Sequence, residues 1–266
     1  MVYLKNMPMR KSLKELSWNV QEKIYRADNA LSYSKLSQFF KNGPKALISN
    51  EKIDTPSLRF GSLVDCILTA PEEFDDRFYV ADIDKFSDTF RAMTETIYSD
   101  NPNLESISET PDLMSYIGDW QPRWGEKAKI DAVVKGCSDY YTVLKYSTGK
   151  IVISPKEYGE AQQCVQTLKT HPFTYQIFEC NQDEEIFYQL KFKTTIEDCD
   201  NSKVRIMTDC IKINHKEKWI QVYDLKTTGK DEEKFEKSFD EWNYWIQAGL
   251  YQDVVDLITT ADNYFS

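Results

Sequence analysis

Asp224 and Lys226 stand two residues apart in the run WIQVYDLKTT (219–228). Alternate side chains of an extended chain share a face. The two therefore project together, about 6–7 Å apart, on the side that carries Ile220 and Val222. A carboxylate and an ammonium fixed side by side, where an apolar face gives way to polar groups, can hold a metal ion and position or activate a water. The plainer alternative is an ordinary ion pair at a strand end. A second acid bears on the choice. Asp209 interrupts the otherwise apolar run RIMTDCIKI (205–213), where burial without a partner is expensive. If the two runs pair as an antiparallel hairpin, Asp209 approaches Asp224. Two carboxylates meeting in a partly buried place repel, and a divalent cation resolves the conflict. On an edge strand Asp209 would instead face solvent.

Other residues extend the set. Gln247 and Tyr251 lie one helical turn apart on one face. A glutamine on a buried face is costly unless it hydrogen-bonds something specific. Gly61-x-x-x-Asp65 sets another carboxylate on an apolar helix, beside a glycine that lets something approach closely; a solvent-facing acid is the alternative. Glu184 and Glu185 begin a strand, so only one can point inward, and the pattern does not choose between them. Trp242, Tyr244 and Trp245 are expected in the core.

Several chemistries are disfavoured. With His171 and His215 the only histidines, a Ser-His-Asp triad or a multi-histidine zinc site has little to build on. The cysteines at 66, 137, 164, 180, 199 and 210 form no CxxC pair, which argues against zinc or iron–sulfur ligation and fits reduced thiols in a cytosol-like compartment. Neither GxxxxGK[ST] nor GxGxxG occurs. A net charge of −10 argues against a non-specific nucleic-acid coat, yet leaves room for a local basic surface beside an acidic pocket. No apolar run is long enough to span a bilayer, and the first residues lack the apolar segment of a secretory signal. No membrane association and a cytoplasmic location are the expectations.

These side chains need elements to hold them. The spacing of Leu13, Leu16, Val20 and Ile24 predicts a helix over 11–25, within an N-terminal arm of residues 1–30. SYSKLSQFF reads as a helix capped by Ser32 or Ser34 and broken at Gly43-Pro44. SLRFGSLVDCILTA (57–70) is helical, with Leu63, Val64, Ile67 and Leu68 as its apolar stripe. A mostly helical stretch runs to residue 150, then a short strand IVIS and a helix opened by Pro155. Three strand-like runs follow, 184–195, 203–214 and 219–229, and a long amphipathic helix covers about 233–259. Helices, a strand meander and a closing helix give an α/β (α+β) class. The organisation expected is an arm (1–30) and one domain (31–266), helical over 31–150 with the sheet core in 151–266.

The ordered set resembles the PD-(D/E)XK nuclease superfamily: an Asp, then D-x-K on the next strand, then Q-x-x-x-Y on a helix, with G-x-x-x-(H/D) near the start. More closely it looks like the RecE-type (exodeoxyribonuclease VIII-like) phage exonucleases, relatives of lambda exonuclease and RecB-type nuclease domains. The resemblance runs from about Leu31 to Leu257 and includes LSYSKLSQFFKNGPKAL and FGSLVDCILTAPEEFDDRFYV. It implies a restriction-endonuclease-like core, a central mixed sheet flanked by helices. It implies that Asp209 and Asp224, with the Leu225 carbonyl, bind Mg²⁺ or Mn²⁺, and that Lys226 is the catalytic lysine, acting as base or as electrostatic group. Asp65 falls where many relatives carry histidine, and Glu185, with Glu184 as rival, where they carry an upstream glutamate. Gln247 and Tyr251 match the motif that supports the lysine and contacts DNA; packing on a DNA end is then the alternative to core for the neighbouring aromatics. The implied activity is metal-dependent exonucleolytic hydrolysis at ends of linear duplex DNA in phage recombination. Implied partners are DNA, a single-strand annealing protein and further copies of the chain in a ring. Other end-processing nucleases, endonucleases and a degenerate DNA-binding or assembly module are the rival readings.

Overall fold

The computed structural model describes residues 11–47, 55–229 and 231–265; the first ten residues of the expected arm lie outside them. The chain divides into two units, Met1–Pro71 with Cys164–Ser266, and Glu72–Gln163. The first begins with α1 (Leu13–Leu16), α2 (Glu22–Ala27), α3 (Tyr33–Asn42) and α4 (Pro56–Thr69). The second holds α5 (Phe74–Arg77), β1 (Phe78–Val80), α6 (Asp88–Asp100), α7 (Leu113–Ile117), α8 (Glu126–Tyr146) and β2 (Ile151–Ile153). The division falls within α9 (Pro155–Thr170), after which the first unit resumes with α10 (Tyr175–Phe178). Its strands are β3 (Glu184–Tyr188), β4 (Lys191–Ile196), β5 (Ser202–Met207), β6 (Cys210–Asn214) and β7 (Trp219–Tyr223), followed by α11 (Glu232–Glu241) and α12 (Tyr244–Ala261).

The second unit packs α6, α7 and α8 around Ile97, Ile107, Ile117, Val133 and Tyr141, all buried. The one polar atom of Tyr141 is satisfied there, its hydroxyl donating to the Asn101 carbonyl at 2.7 Å. The parallel pair β1–β2 completes the unit.

The first unit carries the sheet structure. β3, β6 and β7 form an antiparallel sheet in the order β3-β6-β7, and β4 pairs antiparallel with β5. Phe192, Ile206, Ile211 and Ile213 from these strands pack with Leu13 of α1 and with Val254 and Val255 of α12 in one buried cluster. The helices are bounded by local chemistry. Ser32 caps α3, its Oγ accepting the Lys35 N–H, and Gly43 ends the helix at φ 72°, a conformation that glycine adopts without strain. Thr55 caps α4 and Pro56 occupies its first turn. Leu31, just before α3, bridges to Val204 of β5 and so ties that helix to the sheet.

The mixed α/β class is as expected, with the sheet in small pieces. Several predicted elements are broken, each at an identifiable place. The helix over 11–25 is two short helices: the chain leaves helical geometry at Ser17, and Trp18 donates its N–H to the Lys191 carbonyl at 2.6 Å, a sheet contact that a continuous helix forbids. Leu13 reaches the core, while Ile24 is exposed. The runs 184–195 and 203–214 are each two strands, because Gln189 turns to φ 53° opposite Thr208-Asp209. β7 ends at Tyr223, so Asp224 and Lys226 lie beyond the strand. The helix expected over 233–259 is split at Asn243, whose φ of 55° suits asparagine better than most residues.

Candidate active site

The break in the strands makes the site. Cys210 pairs with Tyr223, so Asp209 and Asp224 are the next residues outward on neighbouring chains, where β5 bends away. Leu225 donates its N–H to Asp209 Oδ2 at 2.6 Å, a side-chain acceptor in place of a ladder carbonyl. Asp224 is gripped on both oxygens. Oδ2 accepts from the Lys226 ammonium, and Oδ1 accepts from Gln247 Nε2 at 2.5 Å. Gln247 reaches it from the first turns of α12, and among the described residues its buried Oε1 has no hydrogen-bond partner, an acceptor that a water or ligand donor would satisfy. Tyr244, at the start of α12, places its ring 5.0 Å from the Lys226 ammonium.

Asp65 enters from α4. Its carboxylate accepts from Gln189 Nε2 at 2.9 and 3.2 Å and from the Thr69 hydroxyl at 3.2 Å. Gln189 was not singled out in the sequence; the signal was a polar residue midway through a strand-like run, which here marks the kink. One turn before Asp65, Gly61 faces the chain that leaves β7: a Cβ at Gly61 would stand 2.9 Å from Thr227 Oγ1. The glycine permits the close approach of the segment that carries Lys226.

Gly61, Asp65, Asp209, Asp224, Lys226, Tyr244 and Gln247 line one cleft of about 820 Å³, which also takes in Tyr33, Lys35, Arg205 and Tyr251. Its electrostatics are conflicted. Burial first, then the neighbouring Asp224, pushes the Asp209 carboxyl well above the usual carboxylate range. Burial raises Asp224 as well, against the pull of Lys226. Burial, with Asp224 second, raises the Tyr251 phenol, and burial alone leads the rise of Tyr33 to about 12. Arg205 is committed elsewhere, its guanidinium donating to the carbonyls of Tyr25, Arg26 and Ala30.

The donor chemistry suits a hard divalent cation: three carboxylates and a nearby backbone carbonyl, against the single thioether of Met207 among the lining residues. Among the described residues no three acid, thiol or imidazole groups are grouped as a ligand set. Asp65 is turned to Gln189 and Thr69, and Asp224 to Lys226 and Gln247.

Two expectations fail. Glu185 is not brought to the cleft. It pairs with Ile213, three residues along β6 from the Cys210 end that adjoins Asp209, and meets His215 Nε2 at 3.0 Å. Its rival Glu184 is further still and structural, holding the buried Lys212 ammonium at 3.1 Å together with the carbonyls of Gln176 and Glu179. Trp242 and Trp245 are not in the core but exposed. The helix break at Asn243 turns that corner outward.

A mixed α/β domain that gathers an aspartate, a D-x-K pair and the glutamine of Q-x-x-x-Y in one cleft is a PDDEXK-like domain. The chain belongs to the family of the PDDEXK-like domain of unknown function (DUF3799), whose model matches residues 32–265. No curated protein and no solved structure matches it.

Proposed function

We propose that this protein is a divalent-metal-dependent nuclease that hydrolyses phosphodiester bonds at the ends of linear duplex DNA. The observation that carries the reading is the Asp209–Asp224–Lys226–Gln247 constellation: two partly buried, mutually repelling carboxylates with one ammonium bound to the second. Asp209 and Asp224, with the Leu225 carbonyl and Asp65, would hold Mg²⁺ or Mn²⁺. When bound, such a cation lowers the pKa of water and neutralises charge on the reacting phosphate.

The chain's own residues do the rest. In the hydrolysis a water oxygen bonds to phosphorus, one ester P–O bond breaks, and the departing oxygen takes up a proton. Lys226, held by Asp224, orients the water and offsets the negative charge that builds on the phosphate oxygens. Gln247 keeps Asp224 in place, and Gln189 does the same for Asp65. Action from ends rather than within the strand, a role in phage recombination, an annealing-protein partner and assembly into a ring rest on the resemblance of the motif set. Digestion of end-labelled linear duplex with and without Mg²⁺, beside closed circular DNA, tests the reading. Loss of label from the linear form only, and only with metal, supports it. No hydrolysis of any DNA under metal overturns it, and cutting of closed circles overturns the exonuclease part.

A further inference from the structure

The corner between α3, α11 and α12 exposes an unusual amount of aromatic surface. Phe40 is 60% exposed, Trp245 52% and Trp242 46%. Residues this apolar, grouped at one place, mark a binding surface rather than ordinary surface scatter. The group is held in place from below. The Tyr33 hydroxyl donates to the Trp242 carbonyl at 2.6 Å and Ser37 Oγ donates to it at 3.3 Å, so α3 and the helix break at Asn243 are tied together. Phe40 meets Trp245 edge to face, with ring centroids 6.3 Å apart.

Two features say what fits there. The first is continuity with the cleft. Tyr33 and Tyr244 line the cleft and stand 6.5 Å apart, and Tyr244 in turn lies against the Lys226 ammonium. An aromatic path thus runs from the lysine to the exposed corner. The second is charge. From residue 29 to residue 50 the chain carries Lys35, Lys41 and Lys45 and no acid, in a protein of net charge −10. Lys41 sets its ammonium 3.5 Å above the Trp242 ring, so positive charge lies directly on the aromatic surface. The acids nearby, Glu236, Asp240 and Glu241, belong to α11, which leaves α3 as the phosphate-facing side.

We infer that this corner is a stacking shelf for the unpaired bases of a single DNA strand, with α3 carrying its phosphates, so that a strand end held there leads into the cleft. Aromatic faces beside a basic track are the recognition chemistry of single strands, since duplex bases are already stacked on one another. The inference rests on the nuclease reading only for what happens to the strand, not for its binding.

The test is binding without cleavage. Wild-type protein in EDTA is titrated with labelled oligodeoxythymidine and with a blunt duplex of equal length, following anisotropy and tryptophan fluorescence. The expected result is preference for the oligodeoxythymidine, with tryptophan quenching. Phe40→Ala and Trp245→Ala each weaken it roughly tenfold or more at unchanged melting temperature, and Trp245→Phe restores most of the affinity. Equal affinity of wild type and both alanine variants overturns the inference. So does a change of molecular mass in the alanine variants with oligonucleotide affinity intact, which would make the corner a protein interface. Cleavage is scored separately. Shelf-dependent binding without metal-dependent hydrolysis refutes the nuclease reading alone, and hydrolysis without shelf-dependent binding refutes the shelf alone.

Discussion

Replacing Lys226 by methionine keeps an unbranched stem and removes the charge that stands 5.0 Å from the Tyr244 ring. Asp224 then retains the Gln247 amide as its remaining donor, beside a second, partly buried carboxylate. Breaking a fully buried ion pair by removing one partner costs about 3–5 kcal/mol. Here the side chains are 26% and 25% exposed, so solvent screens part of that loss, leaving about 1–3 kcal/mol. For a chain of this size that lowers the melting temperature by roughly 3–10 °C. Adding Asp224→Asn removes the orphaned charge and recovers most of that fall, a coupling that a double-mutant cycle in differential scanning fluorimetry resolves. Activity behaves differently. Turnover of end-labelled linear duplex falls by about 100-fold or more in Lys226→Met, as when one group aimed at developing charge is lost, and the second substitution does not recover it. Near-wild-type turnover in Lys226→Met would remove the lysine from the mechanism. A melting temperature indifferent to Lys226 yet sensitive to Asp224→Asn would show the electrostatic accounting to be wrong.

Asp209→Asn keeps an acceptor for the Leu225 N–H while removing a buried like charge, so in EDTA at neutral pH it melts higher than wild type; added Mg²⁺ raises the melting temperature of wild type but not of this variant, and a lower melting temperature in EDTA counts against the repulsion argument. Gly61→Val presses on Thr227 and displaces the Lys226 segment, giving at least a tenfold loss of turnover with a small change in stability, whereas full activity would show that the segment moves freely. Glu184→Gln retains wild-type turnover, separating this glutamate from the cleft. The Asn181 N–H, and after it Lys212, holds the Glu184 carboxyl below its ordinary value of 4.5. Its contribution to stability is present above that value and fades as pH falls through the lower folded value. The melting temperature of Glu184→Gln therefore falls less steeply than that of wild type on acidification below about pH 4.5, and identical acid limbs would contradict this.

Much of this molecule is legible before any coordinates. Ser32, Gly43-Pro44 and Pro155 bound their helices because caps and proline act within a few residues of themselves. The order of Asp209, Asp224, Lys226, Gln247 and Tyr251 is legible for a similar reason: buried polar groups in apolar runs stand out against periodicity. The breaks were not legible. A strand-like run of twelve residues has the same alternation whether or not it bends at Gln189, and the bend is stabilised by residues distant in sequence, Thr208 and Asp209 opposite it and Asp65 and Thr69 around its side chain. The choice between Glu184 and Glu185 failed likewise. Which glutamate points inward matters less than where β3 starts relative to the end of β6, and register belongs to the paired sheet.

The sequence by itself determined which chemical groups this protein has to spend and the helices and strands that present them, because propensity, capping and alternation are local. Tertiary structure alone decided that Asp209 comes beside Asp224 and that Gln247 grips Asp224, that Gln189 restrains a third acid, and that two tryptophans face solvent rather than the core. Each of these depends on where a kinked backbone brings together segments far apart in the chain, and backbone pairing across such distances leaves no periodic trace in the residues themselves.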